Sequence, residues 1–121
     1  MIVPDTNIWI EFFKQSDHIT PQIKDLLKHR QIATLEPIFS ELIYGVRTND
    51  EKEIVLSYWR ILPKLNFSLL KAAEFANSNN YLNLGIGLID AVIIEPVISN
   101  NLKLWTLDKK ISRVVDAQFL Y

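Results

Sequence analysis

The chain of 121 residues has no cysteine, so neither a disulfide framework nor a cysteine zinc site is open to it. Glycine and proline are also sparse, three and five respectively, which excludes a low-complexity or linker-dominated chain. Neither sign of charge dominates. Thirteen basic against fourteen acidic residues leave a formal net charge of −1, which argues against tight, non-specific binding of long duplexes while leaving room for a local basic rim. No apolar run reaches the length of a membrane span, and Asp90 and Glu95 interrupt the longest one near the end of the chain. The opening MIVPDTNIWIEFF lacks a basic leader, and Asp5 and Glu11 break its apolar run, so no export signal is expected. There is no phosphate-loop pattern and no nucleotide-binding glycine fingerprint, and neither His18 nor His29 has a convincing nucleophile partner. Together these absences suit a reducing, cytoplasmic setting without a membrane.

What remains is ordinary globular composition, 49% hydrophobic, in a length that fits one domain over residues 1–121 with a core of its own. Ile2-Val3-Pro4 reads as a short strand, and Asp5-Thr6-Asn7 as a corner that caps a helix through Lys14. Thr20-Pro21 offers a capping hydroxyl and a first-turn proline; Ile23, Leu26 and Leu27 then form one apolar stripe, closed by Lys28-His29-Arg30. Ile32–Leu35 suits a buried strand. Pro37 opens a further helix, Thr48-Asn49-Asp50 breaks it, and residues 51–62 form the next, stopped by Pro63. Leu65-Asn66-Phe67 reads as a strand, Ser68 to about Asn77 as a helix, and Ser78–Gly87 as a loop. In Leu88–Asn100, Pro96 is expected to kink the helix or end it early. Lys103–Thr106 is the last clear strand, Asp108 starts a helical turn, and Ala117–Tyr121 suits an edge strand. Strands alternating with helices predict a three-layer α/β/α sandwich with a mainly parallel central sheet.

Four carboxylates fall at corners or in apolar context. Asp5 and Asp108 each follow a predicted strand, where sites gather in parallel α/β folds. Glu41, in Phe39-Ser40-Glu41-Leu42-Ile43, and Asp90, in Leu88-Ile89-Asp90-Ala91-Val92-Ile93, can reach the same crevice from helices. Each has a plainer role open to it: Asp5 and Asp108 as caps, Glu41 as a solvated helix residue, Asp90 as a cap or a buried ion-pair partner. Gathered in one cleft they would repel one another, and a hard divalent cation, Mg2+ or Mn2+, would offset that repulsion while holding phosphate and water.

Ile2-Val3-Pro4-Asp5-Thr6-Asn7, Ser40-Glu41-Leu42 with Gly45, Ile89-Asp90-Ala91 and Leu104-Trp105-Thr106-Leu107-Asp108 together span nearly the whole chain. In order and separation they resemble the PIN-domain nuclease family, in particular the VapC-type toxin ribonucleases of toxin–antitoxin pairs. The resemblance implies a PIN-like sandwich. It implies Asp5, Glu41, Asp90 and Asp108 as catalytic metal ligands for Mg2+ or Mn2+, with Thr6, Asn7 and Thr106 supporting them by hydrogen bonds. It further implies cleavage of exposed RNA, a homodimer and a cognate antitoxin. Pro96 departs from the alanine-rich helix such proteins carry after the third acid.

Lys109, Lys110 and Arg113 follow Asp108 and are candidate phosphate contacts, or else a solvated helix surface; Lys14, Arg47 and Lys28–Arg30 are weaker ones. Trp9 could stack on a base or pack in the core; Trp59 and Trp105 look structural. Two other functions compete with a ribonuclease: a metal-dependent DNA or flap nuclease using the same acids, and a non-catalytic interaction domain in which the acids are incidental.

Overall fold

The computed structural model describes residues 1–121. Strand β1 (Ile2–Pro4) runs parallel to β2 (Lys103–Trp105), with Val3 opposite Leu104 and Pro4 opposite Trp105. Their inner residues Val3, Leu104 and Trp105 are buried, as expected of a parallel sheet covered on both faces. Three further segments extend this pair through single parallel bridges: Ile32 to Ile2, Lys64 to Thr34, and Leu120 to Leu104. The spatial order is therefore 64, 32–34, β1, β2, 120, all parallel.

Seven helices surround this narrow sheet: α1 (Thr6–Phe13), α2 (Thr20–Lys28), α3 (Glu36–Gly45), α4 (Asn49–Ile61), α5 (Leu69–Ser78), α6 (Leu88–Ser99) and α7 (Lys109–Val114). The fold is mixed α/β with a small, mainly parallel sheet flanked by helices, as the alternation of elements implied. Side-chain oxygens cap several helix starts: Thr48 accepts from the Glu51 N–H and Ser68 from the Lys71 N–H. Pro37 and Pro21 sit in first turns, where a missing N–H costs nothing.

Some expectations are corrected. Ile32–Leu35 is buried but bridges its neighbours one residue at a time, and Leu65–Phe67 forms no strand, since only Lys64 bridges. Residues 117–121 make a 3-10 turn (Ala117–Phe119) before the single Leu120 bridge. In each case the adjoining helix or turn takes up the chain before a second ladder rung can form. Thr20 is already helical and caps nothing; its hydroxyl is buried without a partner. Helix α4 starts at Asn49, because Thr48 is its cap. Pro96 does not end α6, which continues to Ser99 with Pro96 itself buried. The Pro96 carbonyl accepts from the Asn100 N–H and the Asn100 side chain, tying off the last turn.

Helix α6 is the central element. Every residue from Ala91 to Val97 is buried, Glu95 included, so it is apolar almost all round, as a helix enclosed by its neighbours must be. Glu95 meets the Lys71 ammonium of α5 at 3.4 Å. Trp9 is fully buried within an aromatic cluster of Phe12, Phe13, Phe39 and Tyr58, with ring centroids 5.3–6.0 Å away. Base stacking by Trp9 is thereby excluded: its faces are spent on the core.

Candidate functional site

The carboxyl ends of β1 and β2 are where the candidate acids meet. The last ladder bond, from the Asp5 N–H to the Trp105 carbonyl (2.8 Å), fixes Asp5 beside the end of β2. Asp5 then caps α1: one carboxylate oxygen accepts from the Thr6 N–H and the other from the Thr106 hydroxyl, both at 2.8 Å. It is one of three buried polar or charged residues in the chain, only 6% exposed.

Thr106 is fully used. Its hydroxyl donates to Asp5 and accepts from the Asn7 side-chain amide (3.3 Å) and the Asp108 N–H (3.1 Å), which exhausts one donor and two lone pairs. Asn7 completes the bridge, because its amide oxygen accepts from the Leu107 N–H. Thr6 works in the other direction: its hydroxyl donates to Glu41 at 2.8 Å, drawing that exposed α3 residue toward Asp5. Thr6, Asn7 and Thr106 thus tie three separate parts of the chain around Asp5.

Asp90 and Asp108, both half-buried, are also at helix starts. Asp90 is the third residue of α6 and reaches back to the backbone of Gly87, the cap position, in the manner of the acid in a capping box. Asp108 caps α7 by accepting from the Lys110 and Ile111 N–H groups. Three acids therefore begin three helices whose starts converge, where the positive ends of the helices favour negative charge. Capping alone accounts for each acid, but not for their meeting one another and Glu41.

That meeting has an electrostatic signature. Burial, reinforced by the charges of Asp90 and Glu41, raises the Asp5 carboxyl above its ordinary value, against the lowering effect of the Thr106 and Thr6 hydrogen bonds. Burial and then the charge of Asp108 raise Asp90, opposed by the Gly87 hydrogen bond and the charge of Lys110. In chemical terms the donor set, carboxylates and hydroxyls without sulfur or imidazole, fits a hard divalent cation. No three of these side chains come close enough together to form a metal-holding cluster by themselves.

Of the cations after Asp108, Lys109, Lys110 and Arg113 are all exposed, and the charge of Lys110 bears on Asp90. Sequence reasoning gave Gly85, Gly87 and Glu51 no role. Gly87 anchors Asp90, and an acid three residues after a glycine at a helix start was the available signal. Glu51 lies with Glu41 in a groove of about 390 Å³ between α1, α3 and α4, lined also by Ile10, Phe13, Val46 and Ile54. Nothing in a linear pattern brings those three helices together.

The family model described as PIN domain matches residues 2–117. In the crystal structure of VapBC2 from Rickettsia felis bound to a DNA fragment from their promoter, a chain superposes with a TM-score of 0.76 at 24% identity, covering 99% of this chain and 96% of that one. A chain in the crystal structure of FitAcB from Neisseria gonorrhoeae gives 0.66 at 14% identity, covering 94% and 92%. At such identities the likeness is one of fold. No curated protein sequence matches.

Proposed function

The chain belongs to the PIN-domain family, and from that premise we propose that it is a metal-dependent endoribonuclease, the toxin of a toxin–antitoxin pair, working in the cytoplasm as one domain over residues 1–121. The observation that carries the reading is the convergence of Asp5, Glu41, Asp90 and Asp108 at the carboxyl end of the sheet, where burial and then the charges of Asp90 and Glu41 raise Asp5, and burial and then the charge of Asp108 raise Asp90. Asp5, Asp90, Asp108 and Glu41 would hold Mg2+ or Mn2+. When bound, the ion supplies positive charge for the phosphodiester and lowers the pKa of a bound water.

The chain's own residues prepare that centre. Thr106 and the Thr6 N–H fix both oxygens of Asp5, so its free lone pairs face a set direction before any ligand arrives. Thr6 holds Glu41 at the rim, and Asn7 locks the segment that carries Asp108 onto α1. Lys109, Lys110 and Arg113, all exposed, follow Asp108 and give an incoming strand a basic rim.

An antitoxin is the proposed regulator. The groove between α1, α3 and α4 is mostly apolar, with Lys14, Glu41 and Glu51 in its wall. It suits an amphipathic segment that lays apolar residues along Ile10, Val46 and Ile54 and brings a basic side chain to Glu41. A homodimer is proposed as well: Tyr44, Leu69, Leu70, Leu82 and Leu84 are half or more exposed, an apolar surface that a second copy would cover.

The test is cleavage of cellular and defined single-stranded RNA with Mg2+ or Mn2+, wild type beside Asp5→Asn. Defined cuts by wild type, reduced more than the roughly 100-fold that loss of a supporting hydrogen bond costs, are expected for the variant. Equal turnover by Asp5→Asn at limiting metal overturns Asp5 as a ligand. Turnover of branched or single-stranded DNA in place of RNA would reassign the substrate.

A further inference from the structure

Lys110 is the second residue of α7, and its side chain lies against Gly85, in the turn before α6. Its stem and ammonium (Cδ, Cε and Nζ) lie 3.7–3.9 Å from where a Cβ on Gly85 would be. Gly85 has φ +78, a backbone conformation that glycine adopts without strain, and this turn brings its backbone into van der Waals range of the stem. Two residues on, the Cβ position of Gly87 lies 3.9 Å from an Asp90 carboxylate oxygen. One short segment, Gly85-Ile86-Gly87, therefore carries the lysine at one end and the acid at the other.

The ammonium makes no ion pair at contact distance, whereas Lys71 and Arg60 each have a carboxylate partner. It is a free cation held at the edge of an acidic cluster, and its charge bears on Asp90. A divalent ion among the acids would repel it, and an entering anion would attract it.

We propose that Lys110 is the substrate-phosphate ligand of this site, gripping an RNA phosphate on the Gly85–Gly87 side of the acids. Lys109 and Arg113 contribute only general charge. The assignment deepens the nuclease reading and rests on it.

The experiment uses the Asp5→Asn protein with Mg2+, in which RNA is expected to survive, and follows fluorescence anisotropy of a labelled single-stranded RNA over a range of salt. Adding Lys110→Gln should weaken binding about tenfold, the scale of a charged hydrogen bond, and lower the slope of log K against log salt by about 0.7, one phosphate contact on a single strand. Lys110→Arg, which keeps the charge, should recover the slope. Lys103→Gln removes the same charge at the far end of β2 and should change neither quantity. The fold tolerates these changes, because the Lys110 backbone N–H, not its side chain, bonds Asp108. If Lys110→Gln behaves as Lys103→Gln while wild type cleaves RNA, the Lys110 assignment falls and the nuclease reading stands. If wild type does not cleave and the Asp5→Asn protein binds no RNA, both fall.

Discussion

At the scale of single residues, the raised carboxyls tie stability to pH in a definite direction. A folded pKa above the unfolded value means that the native state holds the proton more tightly. The stability that Asp90 contributes is therefore full below its ordinary value of 3.8 and is lost as pH rises through the raised folded value. In chelator, wild type should melt at progressively lower temperature across that window. Asp90→Asn should flatten the loss and melt higher at neutral pH, because its amide oxygen still accepts from Gly87; thermal melts from acid to neutral pH check this, and a lower neutral melting point would mark Asp90 as a structural ion partner. Asp5→Asn should gain less, since its new NH2 would face a Thr106 oxygen whose lone pairs are already taken. Thr106→Val takes one hydrogen-bond partner each from the Asp5 carboxylate, the Asn7 side-chain amide and the Asp108 N–H. It should cost about 1–3 kcal/mol in denaturant unfolding and lower cleavage roughly 10–100-fold, whereas Thr106→Ser should keep most of both.

At the scale of elements, the sequence was most legible where local chemistry acts alone. Residues Ile2–Pro4 and Lys103–Trp105 and the first-turn prolines Pro21 and Pro37 all follow from short-range rules. Asp5, Asp90 and Asp108 stood out because each is an acid at a corner or in an apolar run. The failures are tertiary. Whether Ile32–Leu35 builds one rung or four depends on partners about thirty residues away on either side. Pro96 survives inside α6 because burial on all sides outweighs one missing hydrogen bond. Trp9 belongs to a cluster assembled from α1, α3 and α4. It should be the heaviest single anchor among those helices, with Trp9→Ala costing about 3–5 kcal/mol in chemical denaturation; a loss below 1 kcal/mol would show that the cluster closes over the gap.

At the scale of the whole molecule, the proposed function assigns different work to two surfaces: cleavage to the acidic end of the sheet, and antitoxin binding to the groove that opens beside Glu41. They are separable by mutation. Ile54 lines the groove and is half exposed, so Ile54→Asp should weaken capture of the product of the neighbouring gene at least tenfold, measured by calorimetry, while cleavage of RNA by the free protein is unchanged. Loss of cleavage with intact capture would contradict that division. The sheet has a further consequence, in the time course of synthesis. Asp5 emerges from the ribosome early, yet the hydroxyl that orients it arrives 101 positions later, on Thr106. No local hairpin can substitute for this pairing, because a parallel rung needs its distant strand. Every nascent intermediate shorter than that carries its first acid unaimed. On the proposed function, a cutting centre built in this way would be switched on late, by the geometry of translation, before any regulator is required.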